Sequence, residues 1–216
     1  MSALDISLYG ILDPERSLGR DLAQLADQAV AGGCTLLQLR DKQGSTRQIL
    51  ARARSIMEAV GGRVPVLIND RVDIAMAGGA DGVHLGQDDM PIDAARDLLG
   101  PRAIIGLSIK TSTEASSFPQ AGLDYVCVGG VFDTSSKDNA TSIGIDGWKA
   151  LATQCRARGE VAMPVGAIAG IDVPRTSDLI KAGADGVAII SALFMQEDVK
   201  QATQQFHAAI EGARGQ

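Results

Sequence analysis

Two aspartates each follow a short apolar run in the middle of the chain. Asp70 comes directly after Val66–Asn69, and Asp89 comes shortly after Gly82–Leu85, nineteen positions further on. Carboxylate oxygens are the donors that Mg²⁺ accepts, and this ion usually carries substrate phosphates as well. Each aspartate also has a simpler interpretation, Asp70 as the cap of the following helix and Asp89 as a turn residue before a proline. If the two runs are neighbouring strands, the pair predicts a site for a shared divalent cation.

Polar side chains of other types end further apolar runs. The segment "QLRDK" supplies Gln38, Arg40, Asp41 and Lys42, and two later positions supply Asn69 and Ser108. Gln38 and Arg40 alternate with leucines and therefore share one face of a strand. Cationic side chains opposite a metal–carboxylate cluster suit the remaining oxygens of a diphosphate. The alternative for Lys42 is a solvated loop charge.

A second polar group lies in the last third of the chain. The segment "TSSK" comprises Thr134, Ser135, Ser136 and Lys137, while Gly170 and Ser191 end the last two apolar runs. In (β/α)8 barrels the ends of the last two strands often form a monophosphate site. The histidines, His84 in a strand and His207 on the last helix, are expected to be structural. No Ser-His-Asp, Cys-His or zinc-ligand arrangement is evident in the sequence.

The elements that must position these groups alternate between β-rich runs and amphipathic stretches. The predicted strands are Ile6–Leu12, Leu36–Leu39, Pro65–Ile68, Gly82–Leu85, Ala103–Leu107, Tyr125–Val128, Val165–Ala169 and Gly186–Ile190. The predicted helices are Gly19–Ala31, Thr46–Val60, Arg71–Ala77, Ile92–Leu99, Thr113–Ala121, Ile145–Arg158, Val173–Ala182 and Val199–Ala213. Several strands are apolar on both faces, which is typical of parallel sheets.

An internal repeat supports eight β/α units. An Ala-Gly pair precedes the second, fourth, sixth and eighth strands, at Ala31–Gly33, Ala77–Gly79, Ala121–Gly122 and Ala182–Gly183. These glycines suit the left-handed backbone at helix ends. The pattern predicts a single α/β domain over residues 1–216, a (β/α)8 TIM barrel. An open doubly wound sheet is the rival, but no G-x-G-x-x-G follows the first strand.

Composition narrows the class of partner. The chain has 216 residues and a net charge of −6, without a basic face, so we expect no nucleic-acid or anionic-membrane binding. Cys34, Cys127 and Cys155 form no C-x-x-C pair and are expected to be reduced and buried. Neither a signal peptide nor a transmembrane run is apparent, and we expect a cytoplasmic protein. The sequence is compatible with a homo-oligomer.

At these polar positions the sequence resembles the thiamine-phosphate synthase family, nearly from end to end. The family's Q-x-R-x-K element stands here as "QLRDK", its Asn-Asp after the third strand as "LINDRVDIA", and its next strand as "ADGVHLGQDD". Further matches are "GLS", "TSSK", "GAIAGI" and "GADGVAIIS". Each motif is weak alone, and the ordered set is specific.

The resemblance implies a transferase with small phosphorylated substrates. Hydroxymethylpyrimidine diphosphate, bound with Mg²⁺, would react with hydroxyethylthiazole phosphate to give thiamine phosphate and pyrophosphate by a dissociative substitution. Asp70 and Asp89 would ligate Mg²⁺, and the catalytic groups would be Lys42, Asn69, Ser108 and Lys137. The remaining substrate contacts would be Gln38, Leu39, Arg40, Asp41, Thr134, Ser135, Ser136, Gly170, Ile190 and Ser191.

Four positions depart from the family pattern, and two alternatives stay open. Lys110, Gly130, Asp133 and Ala169 stand where His, Pro, Pro and Gly are frequent. None of these replaces an expected metal or diphosphate ligand. The alternatives are a thiazole tautomerase-like paralogue of the same fold, which needs neither diphosphate nor Mg²⁺, and a non-catalytic phosphate-binding barrel.

Overall fold

Eight parallel strands close into a barrel in a computed structural model that describes residues 4–133, 142–158 and 163–215. Their bounds are β1 Leu8–Leu12, β2 Leu36–Leu39, β3 Val66–Asn69, β4 Gly82–Leu85, β5 Ile104–Ile109, β6 Tyr125–Val128, β7 Val165–Ile168 and β8 Gly186–Ile189. Each strand pairs with its neighbours in sequence, and Leu8 of β1 lies opposite Val187 of β8. The predicted (β/α)8 barrel is confirmed, and its predicted strands agree with the observed bounds to within two residues.

Helices alternate with the strands around the outside of the barrel. Their bounds are α1 Leu22–Ala31, α2 Thr46–Val60, α3 Val72–Gly78, α4 Ile92–Leu99, α5 Ser112–Ser117, α6 Gly144–Ala157, α7 Val173–Lys181, α8 Ser191–Phe194 and α9 Val199–Arg214. A one-turn 3₁₀ helix at Pro14–Arg16 follows β1. In the described part of the chain, the helices are too short or too polar to cross a lipid bilayer.

Two predicted helices were wrong at one end, for identifiable reasons. The predicted start at Gly19 moves to Leu22, because the Asp21 carboxylate accepts the N–H of Ala23 and caps the helix there. The predicted end at Ala121 moves to Ser117, because the next residue precedes a proline and takes an extended conformation, with φ −62° and ψ 145°.

The internal repeat corresponds to a repeated contact at the amino-terminal end of the barrel. The residues before the even-numbered strands are Thr35, Asp81, Asp124 and Asp185. Each side-chain oxygen accepts the backbone N–H of a residue in the preceding odd-numbered strand, at 3.1, 2.8, 2.8 and 2.7 Å respectively. The barrel is therefore built of four similar double units. The repeat glycines Gly33, Gly79, Gly122 and Gly183 have positive φ, as predicted, although Gly122 lies in the turn beyond α5.

The core has two layers separated by the sheet. The outer layer packs helices on strands, and its largest buried side chain is Trp148, whose Nε1 donates to the Gly166 carbonyl at 3.2 Å. The layer inside the barrel comprises Ile6, Tyr9, Ile11, Leu36, Leu67, Tyr125, Cys127 and Ala188. All three cysteines are free and buried, as predicted, and burial raises the pKa of Cys34 and of Cys127 to about 12.

An arginine side chain joins the first and last β/α units through hydrogen bonds. Arg20, in the loop between β1 and α1, donates through Nη1 to the Gln196 carbonyl at 2.8 Å and through Nη2 to the Phe194 carbonyl. The loop after β1 and the segment after β8 are thereby held together at the carboxyl-terminal mouth of the barrel, where the predicted ligand groups converge.

Candidate active site

The two predicted metal ligands lie together at the mouth. Asp70 follows β3 with a left-handed backbone, φ +60°, and its N–H donates to the carbonyl of His84 in β4 at 2.9 Å. Its carboxylate forms an ion pair with Lys42. The helix-cap interpretation of Asp70 was wrong, because α3 begins at Val72 without a side-chain cap. Asp89 is a turn residue, since its Oδ2 accepts the N–H of Gly86 at 2.7 Å.

The carboxylates of Asp70 and Asp89 also contact each other. Burial and the hydrogen bond to Asp70 raise the pKa of Asp89 above its ordinary value. Burial acts to raise the pKa of Asp70 too, but its contacts with Asp89 and Lys42 outweigh burial and lower that pKa. Adjacent carboxylates that share a proton or a cation behave in this way.

The donor set at this pair is small. Among the described residues, no group of three or more His, Cys, Asp or Glu side chains lies close enough to hold a metal ion. Zinc sites use three or four such protein ligands. A pair of carboxylates suits Mg²⁺, which is usually bound by one or two protein carboxylates and completes its coordination with water and with oxygens of substrate phosphates.

The side chains of the "QLRDK" segment lie in different places: some are buried or paired within the protein, and others lie at the mouth of the barrel. Gln38 points into the barrel and is 1% exposed, whereas the Leu39 side chain packs in the outer layer. Asp41 accepts the N–H of Gly44 at 2.7 Å and pairs with Arg52. Leu39 and Asp41 can therefore offer a ligand only main-chain groups, while Lys42 reaches the carboxylate pair.

Arg40 is oriented by a carboxylate that sequence reasoning missed. Asp13, directly after β1, is 4% exposed; its Oδ2 pairs with Arg40, and its Oδ1 accepts the N–H of Glu15 at 2.9 Å. A carboxylate at a strand end was an available signal, and in this fold it marks the mouth. Asp13 belongs to none of the motifs that carried the resemblance, which is why it was not singled out.

A line of hydrogen bonds crosses the barrel interior below the mouth. Gln38 Nε2 donates to the Tyr9 hydroxyl, and that hydroxyl lies 2.9 Å from the hydroxyl of Tyr125. The Tyr125 hydroxyl lies 2.9 Å from Nδ1 of His84, and Nε2 of His84 lies 2.9 Å from Oγ of Ser108. Gln38 of β2 is thus connected to Ser108 of β5. We call these five side chains the interior chain.

A glycine makes room for the interior chain. Gly106 in β5 lies opposite Tyr125 in β6, and a Cβ on Gly106 would approach the Tyr125 ring to 2.1 Å. Tyr9 and Tyr125 meet edge to face, with ring centroids 5.9 Å apart. Burial lowers the pKa of His84 to about 4, so its imidazole is neutral near pH 7. The expectation that His84 is a core residue is confirmed, and it also supports Ser108.

The ends of β7 and β8 form a second polar region. Ser191 begins α8, and its Oγ is shielded from solvent without a hydrogen-bond partner among the described residues. Ile190 precedes it and packs against the interior layer. Gly170 has φ +65°, and a Cβ there would lie 2.4 Å from the Asp133 carbonyl oxygen. A buried hydroxyl with an unused hydrogen bond suits a bound anion.

The four departures from the family pattern have different settings. Ala169 has φ +96°, a conformation that favours glycine, and Gly130 has φ +75°, which a proline could not adopt. Lys110 and Asp133 are exposed. Thr134, Ser135, Ser136 and Lys137 lie outside the described residues.

Comparison with known proteins gives one consistent family. A family described as thiamine monophosphate synthase matches residues 8–193. A thiamine-phosphate synthase of Agrobacterium fabrum is 47% identical over 99% of this chain and 97% of its own. One from Chloroflexus aurantiacus is 40% identical over 96% of this chain and 94% of its own.

A solved structure agrees with the sequence relatives. A thiamine phosphate pyrophosphorylase from Pyrococcus furiosus superposes with a TM-score of 0.83 at 33% identity, over 97% of this chain and 98% of its own. The chain is therefore a transferase, and it belongs to the thiamine monophosphate synthase family.

Proposed function

We propose that the protein joins hydroxymethylpyrimidine diphosphate to hydroxyethylthiazole phosphate and releases pyrophosphate, with a requirement for Mg²⁺. The observation that carries this proposal is the position of Asp70 at the mouth of the barrel, where it is hydrogen-bonded to Asp89 and ion-paired with Lys42. Two carboxylates and an ammonium group in contact suit a metal–diphosphate complex better than a lone phosphate.

Asp70 and Asp89 would hold the Mg²⁺, and neighbouring groups would hold the diphosphate. When bound, the ion would neutralise charge on the departing pyrophosphate. Lys42 and Arg40 supply cations, Asn69 supplies a neutral hydrogen-bonding group at the end of β3, and Ser108 supplies one near the end of β5. Lys137 would join them, as the resemblance implies. Arg40 keeps its place because Asp13 holds its guanidinium group.

The thiazole phosphate would lie at the ends of β7 and β8. The unpaired Ser191 hydroxyl would donate to a phosphate oxygen, and Gly170, whose missing Cβ leaves room for Phe132 and the Asp133 carbonyl, would offer its main chain. Ile190 would contact the thiazole, and Thr134, Ser135 and Ser136 would complete the site, as the resemblance implies.

The reaction needs no protein base. Loss of pyrophosphate from the aminopyrimidine leaves a cation stabilised by an electron-rich ring, and the thiazole nitrogen that attacks carries no proton. The side chains would therefore position both substrates, stabilise negative charge on the leaving group and exclude water. His84, neutral and buried in the interior chain, is not required to move a proton.

The test is formation of thiamine phosphate and pyrophosphate in equal amounts, with and without Mg²⁺. We expect Asp70→Asn and Asp89→Asn each to lower kcat/KM by about a hundredfold or more, as loss of a charge-stabilising group does. Asparagine is chosen because it tolerates the left-handed backbone of residue 70. Asp88→Asn, at the exposed neighbour of Asp89, is the matched control and should keep full activity.

Two results would contradict the proposal. One is a folded protein that forms neither product at any Mg²⁺ concentration. The other is isomerisation of the thiazole phosphate without use of the diphosphate, which would favour the tautomerase alternative.

A further inference from the structure

The interior chain joins two proposed substrate contacts that lie on non-adjacent strands. Gln38 ends it on β2 and Ser108 ends it on β5, while Tyr9, Tyr125 and His84 connect them. The three connecting side chains are at most 7% exposed, so water cannot readily replace a lost partner.

The hydrogen atoms of this chain can be assigned one by one. The Gln38 amide N–H donates to the Tyr9 oxygen, so the Tyr9 hydrogen must be donated elsewhere. Among the described residues its remaining polar neighbour is the Tyr125 hydroxyl, 2.9 Å away. The Tyr125 hydrogen then goes to Nδ1 of His84, and the Nε2–H of His84 donates to Ser108 Oγ. The Ser108 hydrogen is left for a ligand.

The opposite direction would require the Gln38 amide to be reversed. If His84 donated from Nδ1, Tyr125 would donate to Tyr9, and the Tyr9 hydrogen would need Oε1 of Gln38 as its acceptor, whereas Nε2 of Gln38 lies there. An imidazolium would need the same reversal, because both of its nitrogens donate. With Nε2 of Gln38 facing Tyr9, either arrangement would leave the buried Tyr9 hydroxyl without an acceptor, which is costly, so the direction from Gln38 to Ser108 is favoured.

We propose that the interior chain runs in one direction, from Gln38 to Ser108, and that Tyr9, Tyr125 and His84 are positioning residues which set the polarity of both ends. This inference rests on the proposed function and deepens it. Gln38 Oε1 is then an acceptor, which suits the amino group of an aminopyrimidine. Ser108 is a donor, which suits an anionic diphosphate oxygen.

The first test reads the direction without any turnover. The chain has two histidines, so ¹⁵N NMR of the imidazoles, with His207→Gln to assign the signals, reports the tautomer of His84 directly. We expect the neutral Nε2–H form at pH 7. The Nδ1–H form would overturn the proposal, whatever the protein catalyses.

The second test asks whether Tyr125 acts through Ser108. Tyr125→Phe removes a hydroxyl and keeps the ring, and we expect about a tenfold loss of kcat/KM for the diphosphate substrate. In a Ser108→Ala background the same change should have no further effect. Thr203→Val, which deletes a buried hydroxyl on α9, is the control and should retain activity. Additive losses in the two backgrounds would overturn the proposal.

Substitutions of His84 provide a conservative rescue. A glutamine amide can replace Nε2 and still donate to Ser108, whereas an asparagine amide can replace only Nδ1. We therefore expect His84→Gln to be the more active variant, and equal activities would contradict the positioning role. If the wild-type protein forms no thiamine phosphate, the proposed function fails, and the NMR result alone decides on the direction of the chain.

Discussion

At residue 169 the backbone takes a conformation that favours glycine, but the residue is alanine. Its φ is +96°, and its carbonyl accepts the Phe132 N–H at 3.1 Å, which holds the segment after β6 against this turn. A non-glycine residue in such a conformation costs about 1–3 kcal/mol. The strain lies beside the proposed phosphate site, where family members often carry glycine.

We expect Ala169→Gly to stabilise the protein by about 1 kcal/mol, since relief of strain exceeds the added entropy of the unfolded chain. The measurement is urea unfolding. The matched control is Ala167→Gly in β7. Ala167 does not have a positive φ and its methyl group is buried, so this change should destabilise the protein. Destabilisation of similar size in both variants would show that residue 169 is not strained.

The positions of some residues in the site could be predicted from the sequence, and those of others could not. The proximity of Asp70 and Asp89 was predictable, because carboxylates after adjacent parallel strands lie at one edge of the sheet; their role as metal ligands stays a prediction. Tyr9 and Tyr125 were not predictable, because a buried tyrosine in a short strand has the same pattern as any core aromatic. The left-handed backbone of Asp70 also has no signal in its sequence neighbours.

At the scale of elements, the side-chain acceptors before the even strands fix how the double units join. In the described part of the chain, the Asp81 carboxylate accepts from Val66 alone, whereas Asp124 and Asp185 also pair with Arg96 and Arg156 at 2.8 Å. These contacts hold the amino-terminal ends of the strands in register, on the side of the barrel away from the proposed site.

Replacing these aspartates should cost stability and leave the chemistry intact. We expect Asp81→Ala to lower the free energy of unfolding by about 1 kcal/mol, and Asp124→Ala by slightly more because it also loses a half-buried ion pair with Arg96. Asp81→Asn keeps an accepting oxygen and should lose less. Denaturant unfolding measures each effect, and equal losses for the alanine and asparagine variants would refute the hydrogen-bond role of Asp81.

Elements were predictable where they are long or repeated. The repeated Ala-Gly turns and two-sided apolar strands indicated all eight β/α units. The helix Ser191–Phe194 and the turn at Pro14–Arg16 span three or four residues, too few for any periodicity to appear. Helix ends such as Ser117 depend on a single capping group or a following proline, so they shift by a few residues.

At the scale of the whole molecule, the buried histidine couples folding to pH. The pKa of His84 is lowered to about 4 in the folded protein, from an unfolded value of about 6.5. Between these values the unfolded chain binds more protons, so the free energy of unfolding rises with pH in this window and levels off above it. The contribution of neutral, buried His84 to the free energy of unfolding is present above about pH 6.5 and is lost as pH falls towards 4.

We expect wild-type protein to lose up to about 3 kcal/mol more than His84→Gln between pH 7.5 and pH 4.5, on the order set by the shift. Urea unfolding at several pH values measures both profiles, and their slopes are compared, since the variant differs in absolute stability. Parallel profiles would show that His84 titrates similarly in both states.

The pairing of β1 with β8 has a consequence for synthesis on the ribosome. Leu8 leaves the ribosome long before its partner Val187 is translated. The backbone N–H and C=O groups on that edge of β1 therefore lack their strand partner while most of the chain is synthesised. Asp13 and Ser191 follow β1 and β8, so pairing of these two strands is what brings them to the same mouth. A nascent chain interrupted before β8 would therefore present an unpaired strand edge, which is prone to aggregation, and an incomplete active site. Synthesis of β8 and the segment after it is thus the step on which both folding and activity depend.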